Sequence, residues 1–265
     1  MYNYKTEEFQ KDEIMKQNRH LFIYAQNNEY RTKFLKSMVS DYPIKADSNH
    51  PMALYLDNFG LPVIEGENHT LDHDQKSIIS QEYFSFLVAQ KLLRSTKERR
   101  IDNLEDRLSR LMKSLNGKKA SINKTIERME KSIKFYLDYY VRSFEGKPDD
   151  LSISSLEIPF IDLERFVVDF KSAIGNSSYL AIVLDNKQPM AHISTKAVNT
   201  FVGSRINSDI SMKVATDPSD WPTYHDTRGQ FVQYVHDYST IEVDDSYKNY
   251  GLKLAMKSGG KKNED

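Results

Sequence analysis

The chain has 265 residues, which is long enough to bury a sizeable core in one large domain with an insertion. Its net charge of −1 excludes a global electrostatic drive towards nucleic acid or membrane. Cysteine is absent, so disulfides, thiolate metal sites and cysteine nucleophiles are excluded. No apolar run approaches the roughly 20 residues of a membrane span, and the polar, acidic amino terminus does not resemble a signal peptide. A cytoplasmic location is the default expectation.

The first third of the chain alternates apolar and amphipathic segments. We expect a short polar helix over about residues 6–18, a strand over Leu21–Ala25, a helix over Tyr30–Ser40 and a strand over Met52–Phe59. The junction of the first strand and helix reads AQNNEYRT, where a phosphate-binding P-loop reads G-x-x-x-x-G-K-[ST]. Both glycines are missing, an arginine replaces the lysine, and only the final threonine is kept.

This junction predicts a nucleotide site whose phosphate cradle is damaged. Glycines let backbone N–H groups wrap around phosphates, whereas Tyr30 would fill that space and Glu29 would place negative charge beside an anion. Arg31 still offers a cation, as a planar fork rather than a point charge. Asn28, Arg31 and Thr32 are the candidate cofactor-binding residues. The alternative is an ordinary buried strand followed by an ordinary helix.

The polar loop from Glu65 to Lys76 contains four residues that could ligate a divalent metal, namely His69, Asp72, His73 and Asp74. Their spacing matches no recognised zinc pattern, so a solvated loop is favoured and no metal ligand is assigned. A helix is expected to begin at Ser80.

A heptad pattern then predicts an antiparallel helical hairpin. The spacing of apolar residues alternates between three and four along Ile101–Leu115 and again along Ile122–Tyr140, on either side of Asn116-Gly117. Each arm of about 18 residues would be about 27 Å long.

The hairpin region is rich in basic residues. Thirteen lysines and arginines stand against six acidic residues from Arg94 to Lys134, with Arg99 and Arg100 near the predicted base and Lys118 and Lys119 at the tip. Three interpretations stay open: a solvated coiled-coil surface, contact with DNA or RNA phosphates, or docking to an acidic protein partner.

The second half of the chain returns to alternating strands and helices, which indicates a mainly parallel sheet. The predicted elements are a helix over Asp162–Ile174, a strand over Tyr179–Asn186, a helix over Ser194–Ile206, a strand over Ile210–Thr216, and short strands over Phe231–His236 and Thr240–Val243. The predicted units are an α/β core over 1–80 and 145–250, the inserted hairpin over 81–144, and a disordered tail over 251–265.

The run YLAIVLDN is similar to a Walker B strand, in which an Asp that helps to hold Mg²⁺ is usually followed by Glu. Here Asp185 is followed by Asn186, whose amide can hold a water molecule but cannot take its proton. Taken alone, a buried strand with a capping Asp explains the pattern equally well.

The segment from Val198 to Asp244 resembles a group of bacterial ATPases related to the origin-recognition and replication-initiator AAA+ proteins. The residues that carry the resemblance are Ser204-Arg205-Ile206, Thr216, Trp221-Pro222-Thr223-Tyr224, Gly229 and His236-Asp237-Tyr238. There are plainer explanations: Trp221, Tyr224 and Tyr238 could simply pack their own loop, and His236-Asp237 could be a hydrogen-bonded pair that fixes a turn.

The resemblance implies an AAA+ core with ATP and Mg²⁺ as its cofactors. It implies that Thr216 stands at the first-sensor position and that Arg205 or Arg228 could serve a neighbouring subunit as an arginine finger. The altered P-loop and Asn186 depart from the family pattern, and the chain ends before a helical lid domain could form. The remnant catalytic candidates are therefore Asp185, Asn186, Thr216 and Arg205, and the sequence leaves open whether nucleotide binds.

The sequence thus predicts a P-loop NTPase-like, AAA+-like α/β fold with an inserted antiparallel coiled-coil hairpin. The favoured function is a degenerate, non-catalytic or weakly nucleotide-binding assembly subunit, in DNA transactions or phage defence. A protein partner or homo-oligomer is expected, with DNA contact through the basic hairpin as a further expectation and no membrane contact. The alternatives are an active Mg²⁺-dependent ATPase that uses Arg31 and Thr32, and a coiled-coil interaction adapter.

Overall fold

The structure is a computed structural model. It describes residues 7–25, 28–57, 60–62, 71–145, 152–187, 190–203, 209–243 and 252–253.

A single sheet of six strands organises these residues. The strands are β1 (His20–Ala25), β2 (Met52–Asp57), β3 (Leu180–Asp185), β4 (Ile210–Ala215), β5 (Tyr238–Val243) and β6 (Leu252–Lys253). Their spatial order is β2-β3-β4-β1-β5-β6. The first five strands along the chain are parallel to one another, and β6 is antiparallel to its neighbour β5. The opening strand β1 therefore shares a parallel sheet with β3, the strand that ends in Asp185.

Helices cover both faces of the sheet. They are α1 (Glu7–Lys16), α2 (Asn28–Asp41), α3 (His73–Glu98), α4 (Leu104–Arg107), α5 (Ser109–Asn116), α6 (Ile122–Phe144), α7 (Leu163–Ile174) and α8 (His192–Gly203). Successive strand residues point to opposite faces, so Leu21 and Ile23 pack with α1 and α2, whereas Phe22 joins the core formed with the remaining helices. Strands β3 and β4 are buried along their whole length, as expected for central parallel strands.

The helical hairpin differs from the prediction in its pairing. The long helix α3 is the antiparallel partner of α6: the rings of Phe86 and Tyr136 lie 5.9 Å apart, and Nζ of Lys97 donates to Oδ1 of Asn123 at 2.7 Å. Apolar residues of α6, such as Met129, belong to the same buried cluster as Leu54 and Ile182 of the sheet. This helix pair is thus packed onto the sheet core.

The predicted first arm, Ile101–Leu115, is not one helix. Arg100 and Asn103 adopt left-handed backbone conformations, with φ of 52° and 54°, and separate α3 from the short helices α4 and α5. A left-handed residue cannot continue an α-helix, and Asn adopts this conformation more readily than most residues. The predicted Asn116-Gly117 turn does separate α5 from α6, with Gly117 at φ 65°.

Several predicted boundaries also change. Helix α3 begins at His73, because Asp72 caps it and forms a capping box with Gln75. The segment Phe231–His236, predicted as a strand, contains only isolated bridges. The tail predicted as disordered over 251–265 contributes Leu252 and Lys253 to β6, and the rest of that tail lies outside the described residues.

Candidate functional site

The junction between β1 and α2 leaves little room for a phosphate cradle. Strand β1 ends at Ala25 and α2 already begins at Asn28, so only two residues connect them. In a P-loop, successive backbone N–H groups wrap around the anion from an extended loop. Here the positions from Asn28 to Thr32 are helical, with Glu29 in the first turn.

The side chain of Arg31 turns from this helix towards the end of β3. It is 1% exposed. Its Nε atom donates to Oδ1 of Asp185 at 3.3 Å, and its Nη2 atom donates to the backbone oxygen of Asn186 at 2.7 Å. Its Nη1 atom is buried without a hydrogen-bond partner in the described part of the chain. The residue at the P-loop lysine position is therefore a buried partner of the Walker B-like aspartate.

Two further hydrogen-bond donors and a lysine surround the carboxylate of Asp185, which is itself fully buried. The hydroxyl of Thr32 and the phenol of Tyr55 each donate to Oδ2 at 2.7 Å, and Nζ of Lys187 lies 3.8 Å from the same oxygen. Two carboxylate oxygens offer about four acceptor positions. Arg31, Thr32 and Tyr55 therefore fill three of these positions, including both on Oδ2. Burial and the hydrogen bond to Asp185 raise the pKa of Tyr55 well above its ordinary value.

Asn186 and Thr216 meet beside this ion pair at the ends of adjacent parallel strands. Nδ2 of Asn186 donates to Oγ1 of Thr216 at 3.2 Å, and the Thr216 hydroxyl donates to the backbone oxygen of Asp217 at 3.0 Å. Both residues are buried. Hydrogen bonds from the side chain and backbone of Ser219 lower the pKa of Asp217, and the Arg31 charge lowers it further.

The structure thus brings together most of the predicted nucleotide-site residues. Asp185, Asn186, Thr216, Arg31 and Thr32 converge at the carboxyl ends of the strands, where ligands of open parallel sheets bind. Asn28 begins α2 within the same junction. Arg205 lies outside the described residues.

Two participants, Tyr55 and Lys187, were missed by the sequence reasoning. Lys187 follows the Walker B-like strand by two residues, so its proximity was open to prediction. Tyr55 looked like an ordinary strand residue, although it lies two positions before Asp57, which is opposite Asp185 in the sheet register.

The aromatic loop after β4 packs onto the sheet. The ring of Phe22 on β1 lies 5.3 Å from Trp221, 5.7 Å from Tyr224 and 4.8 Å from Tyr238. Trp221 also donates to Asn199 of α8. These contacts support the plainer interpretation of the aromatic residues as packing groups.

The carboxylates of that loop bind its own backbone. Asp226 accepts from the N–H groups of Arg228 and Gln230, and Asp237 accepts from the N–H of Gln233. The Arg228 guanidinium also donates to Asp226, at 2.9 Å through Nη2. The loop is therefore fixed by its own acidic side chains.

The predicted basic contact residues lie elsewhere. Arg99, Arg100, Lys118 and Lys119 are exposed near the end of the α3–α6 pair where Lys97 meets Asn123. None of the four forms an ion pair with another residue in the described ranges. They are separate from the Asp185 cluster.

The described residues lack two kinds of feature, a membrane-spanning helix and a cluster of metal ligands. They contain no helix with both the length and the apolar character that crossing a membrane requires. They also contain no group of three or more histidine, aspartate and glutamate side chains placed to hold a metal ion. In the loop predicted to be solvated, Asp72 serves as the α3 cap, and His69 lies outside the described residues.

Comparison with known proteins gave one match. A family model described as ORC-CDC6-like matches residues 56–257. The matched range includes Asp185, Asn186 and Thr216, and it begins within β2, after β1 and α2. Comparisons with curated proteins and with solved structures found no match.

Proposed function

The chain belongs to the ORC-CDC6-like family, and from that premise we propose that it is an AAA+-related assembly subunit that does not hydrolyse ATP. One observation carries the proposal: the Asp185 carboxylate is engaged by Arg31, Thr32 and Tyr55 within the protein. The groups that would hold Mg²⁺ in an active relative hold each other instead.

The residues do not fit ATP and Mg²⁺ as arranged. A bound Mg²⁺ needs free oxygen ligands, but Oδ2 of Asp185 already accepts two hydroxyl hydrogen bonds and Oδ1 faces a guanidinium. The short β1–α2 junction removes the loop that would surround the phosphates. Asn186 stands where a general base would be needed and cannot accept the proton of an attacking water. We therefore derive no hydrolytic step.

The biological setting proposed is DNA transactions or phage defence, by analogy with the family. An AAA+-related fold without turnover still presents surfaces for assembly, because function depends on sites carried by the fold. Arg99, Arg100, Lys118 and Lys119 are proposed as contacts to a partner, and the exposed position of all four supports this role.

Calorimetric titration with ATP and Mg²⁺ tests the proposal. We expect no saturable binding up to about 1 mM ATP, a limit that corresponds to a binding free energy of about −4 kcal/mol. We also expect phosphate release to stay at the background rate in the wild type and in Asp185→Asn. The matched control is Asp169→Asn, which removes a half-exposed acid on α7.

The convergence of Thr32, Asp185, Asn186 and Thr216 favours one competing function, an unusual active ATPase. In that case ATP binding would separate Arg31 from Asp185. Micromolar binding, with phosphate release that is lost in both Arg31→Ala and Asp185→Ala but not in the Asp169 control, would establish this function and refute the first.

A further inference from the structure

A wide acidic groove lies on the face of the sheet that α3, α7 and α8 cover, away from the Asp185 cluster. Its volume is about 1190 Å³, and its walls come from α3, the start of α7, the end of α8 and the loop over 226–237. Five carboxylates line this acidic groove, and Arg228, the single basic residue among the described lining, is paired with one of them, the buried Asp226. The carboxylates belong to Glu82, Asp162, Glu164, Asp226 and Asp237.

Most of these carboxylates are held in place by backbone donors. Glu82 accepts from the N–H of Ile161 at 3.0 Å, and Asp162 accepts from the N–H of Arg165 at 3.1 Å. Asp226 and Asp237 bind the backbone of their own loop, as described above. Asp162 and Glu164 carry the more accessible charge, since Asp237 is buried and the pKa of Glu82, raised to about 7, leaves that group partly protonated at neutral pH. Fixed carboxylates lose little conformational freedom when a cation binds, which favours recognition over a flexible acidic surface.

Apolar side chains accompany the negative charge. Phe231 lines the groove and is 58% exposed, and Phe160, next to the lining residue Ile161, is 67% exposed. Ile78 is also exposed, one helical turn before Glu82 on α3. An exposed aromatic ring beside carboxylates suits a lysine or arginine, because the ring binds the cation face-on and the aliphatic stem packs against apolar surface.

The complementary surface is on the same chain. We define the basic tip as Arg99, Arg100, Lys118 and Lys119, which are exposed and have no ion-pair partner among the described residues. The tip lies near the Lys97–Asn123 contact, at one end of the α3–α6 pair. Glu82 lies towards the other end, about 24 Å away at about 1.5 Å per residue along α3.

This separation prevents a molecule from satisfying its own groove with its own tip. We propose that the acidic groove of one copy binds the basic tip of a second copy. The proposal rests on the assembly role given above and names its partner and its surfaces. Because tip and groove are different patches, two copies can pair reciprocally as a two-fold dimer, or many copies can join head-to-tail in a ring or filament.

Mass measurement in solution tests the contact. At low salt we expect assemblies of more than one 30.8 kDa chain. These should dissociate as salt shortens the Debye length from about 10 Å at 0.1 M to about 3 Å at 1 M. A wild type that stays monomeric at low salt and high protein concentration contradicts the proposal, including the case in which the monomer binds a short DNA duplex through the basic tip.

Charge reversal locates the contact. Lys118→Glu with Lys119→Glu cancels the charge of the tip, because Arg99 and Arg100 remain, and Glu164→Lys adds positive charge to the groove opposite an already positive tip. Each variant alone should associate at least about tenfold more weakly, because the tip variant loses the attraction to the groove and the groove variant places a lysine opposite a positive tip. Mixing the two variants should restore pairing, since the intact tip of the groove variant can bind the intact groove of the tip variant.

The control reverses two exposed lysines on the opposite face of the sheet, Lys16→Glu with Lys33→Glu. It has the same net charge change as the tip variant and should keep wild-type association. Assembly that is unchanged in the tip or groove variants, or a mixture that does not assemble, overturns the proposal. If Glu164→Lys does not fold, Phe231→Ala with Glu164→Gln tests the same surface. The ATP titration is independent of all these measurements, so each proposal can fail alone.

Discussion

At the scale of single residues, the buried Arg31–Asp185 pair dominates the candidate site. Both side chains are almost completely buried, and removing a charge from water is compensated only when hydrogen bonds satisfy it. Asp185 has such bonds from Thr32 and Tyr55, whereas Nη1 of Arg31 has none in the described chain. Removing one partner should therefore destabilise the folded chain more than replacing both.

We expect Asp185→Asn to lower the free energy of unfolding by about 3–5 kcal/mol, because it leaves the Arg31 charge buried without a counter-ion. Tyr55→Phe, which removes one hydrogen bond, should cost about 1–2 kcal/mol. Urea denaturation measures both. Combining Asp185→Asn with Arg31→Met should recover part of the loss, and a double variant as unstable as the sum of its singles would contradict the coupling.

Glu82 gives a pH-dependent prediction. Its pKa is raised to about 7 from an ordinary 4.5, mainly by burial and to a smaller extent by the nearby Asp162 charge, while the hydrogen bond from Ile161 opposes the shift. The folded chain then keeps the Glu82 proton to higher pH than the unfolded chain does. This contribution to stability is full below about pH 4.5 and is lost as pH rises towards 7.

Glu82→Gln should therefore stabilise the protein by about 1–2 kcal/mol at pH 8, a value reduced to allow for the partial exposure of the side chain. The variant should differ little from wild type at pH 4.5. Thermal unfolding at the two pH values measures the effect, and an equal change at both would show that the carboxyl proton is not responsible.

At this scale the motifs predicted which residues lie together, whereas their role in nucleotide binding stays a prediction. The P-loop and Walker B patterns identified Arg31, Thr32, Asp185 and Asn186 as a group, because strand ends of a parallel sheet share one edge. The contact of Tyr55 with Asp185 depends on the pairing of β2 with β3, and nothing local in the sequence specifies which strands are neighbours.

At the scale of elements, hydrophobic runs predicted the positions of the strands well, but they did not predict which helices pack against each other. The runs that became β1 to β4 are apolar and bounded by polar residues, so their positions follow from burial. The apolar spacing of Ile101–Leu115 predicts one helix, but the left-handed backbone at Arg100 and Asn103 separates α3 from the short helices that follow. Spacing alone shows that α6 has an apolar face, and it cannot show that α3 covers that face.

Two glycines that end helices should differ in their sensitivity to substitution. Gly117 after α5 and Gly175 after α7 both have positive φ, of 65° and 73°. A Cβ at Gly117 would meet nothing within 4 Å, whereas one at Gly175 would lie 2.5 Å from Oδ1 of Asp47. That carboxylate is paired with Arg107 of α4.

We expect Gly117→Ala to cost about 1 kcal/mol from backbone strain alone, and Gly175→Ala about 2–3 kcal/mol, because the strained backbone is joined by displacement of Asp47. Chemical denaturation of the two variants side by side provides the comparison. Equal losses would show that the Asp47–Arg107 pair contributes little.

At the scale of the whole molecule, the middle of the sheet includes a strand that the family match does not cover. The match begins at residue 56, yet β1 lies between β4 and β5 and pairs with both. Phe22 of β1 also supports the aromatic residues after β4. The matched range is thus not a self-sufficient structural unit.

A fragment limited to residues 56–257 should fail to fold. Without β1 the sheet is interrupted between two of its strands, and the exposed strand edges favour aggregation. Circular dichroism and proton NMR dispersion would detect the failure, with the full chain as the control. A soluble fragment with native-like dispersion would show that β4 and β5 can close the gap.

The fully buried lysine in β4 has a practical consequence for anyone trimming this chain. Nζ of Lys213 donates to the backbone oxygens of Gln17 and Arg19, at 2.7 and 2.8 Å. Burial lowers the pKa of Lys213 well below its ordinary value, and the Arg19 charge adds to this effect. Cutting the chain back to His20 would take away both acceptors while leaving the amine enclosed. Expression boundaries and fusion joints therefore belong upstream of Gln17 and, because Ile14 and Met15 of α1 are buried in the core, upstream of α1 as well.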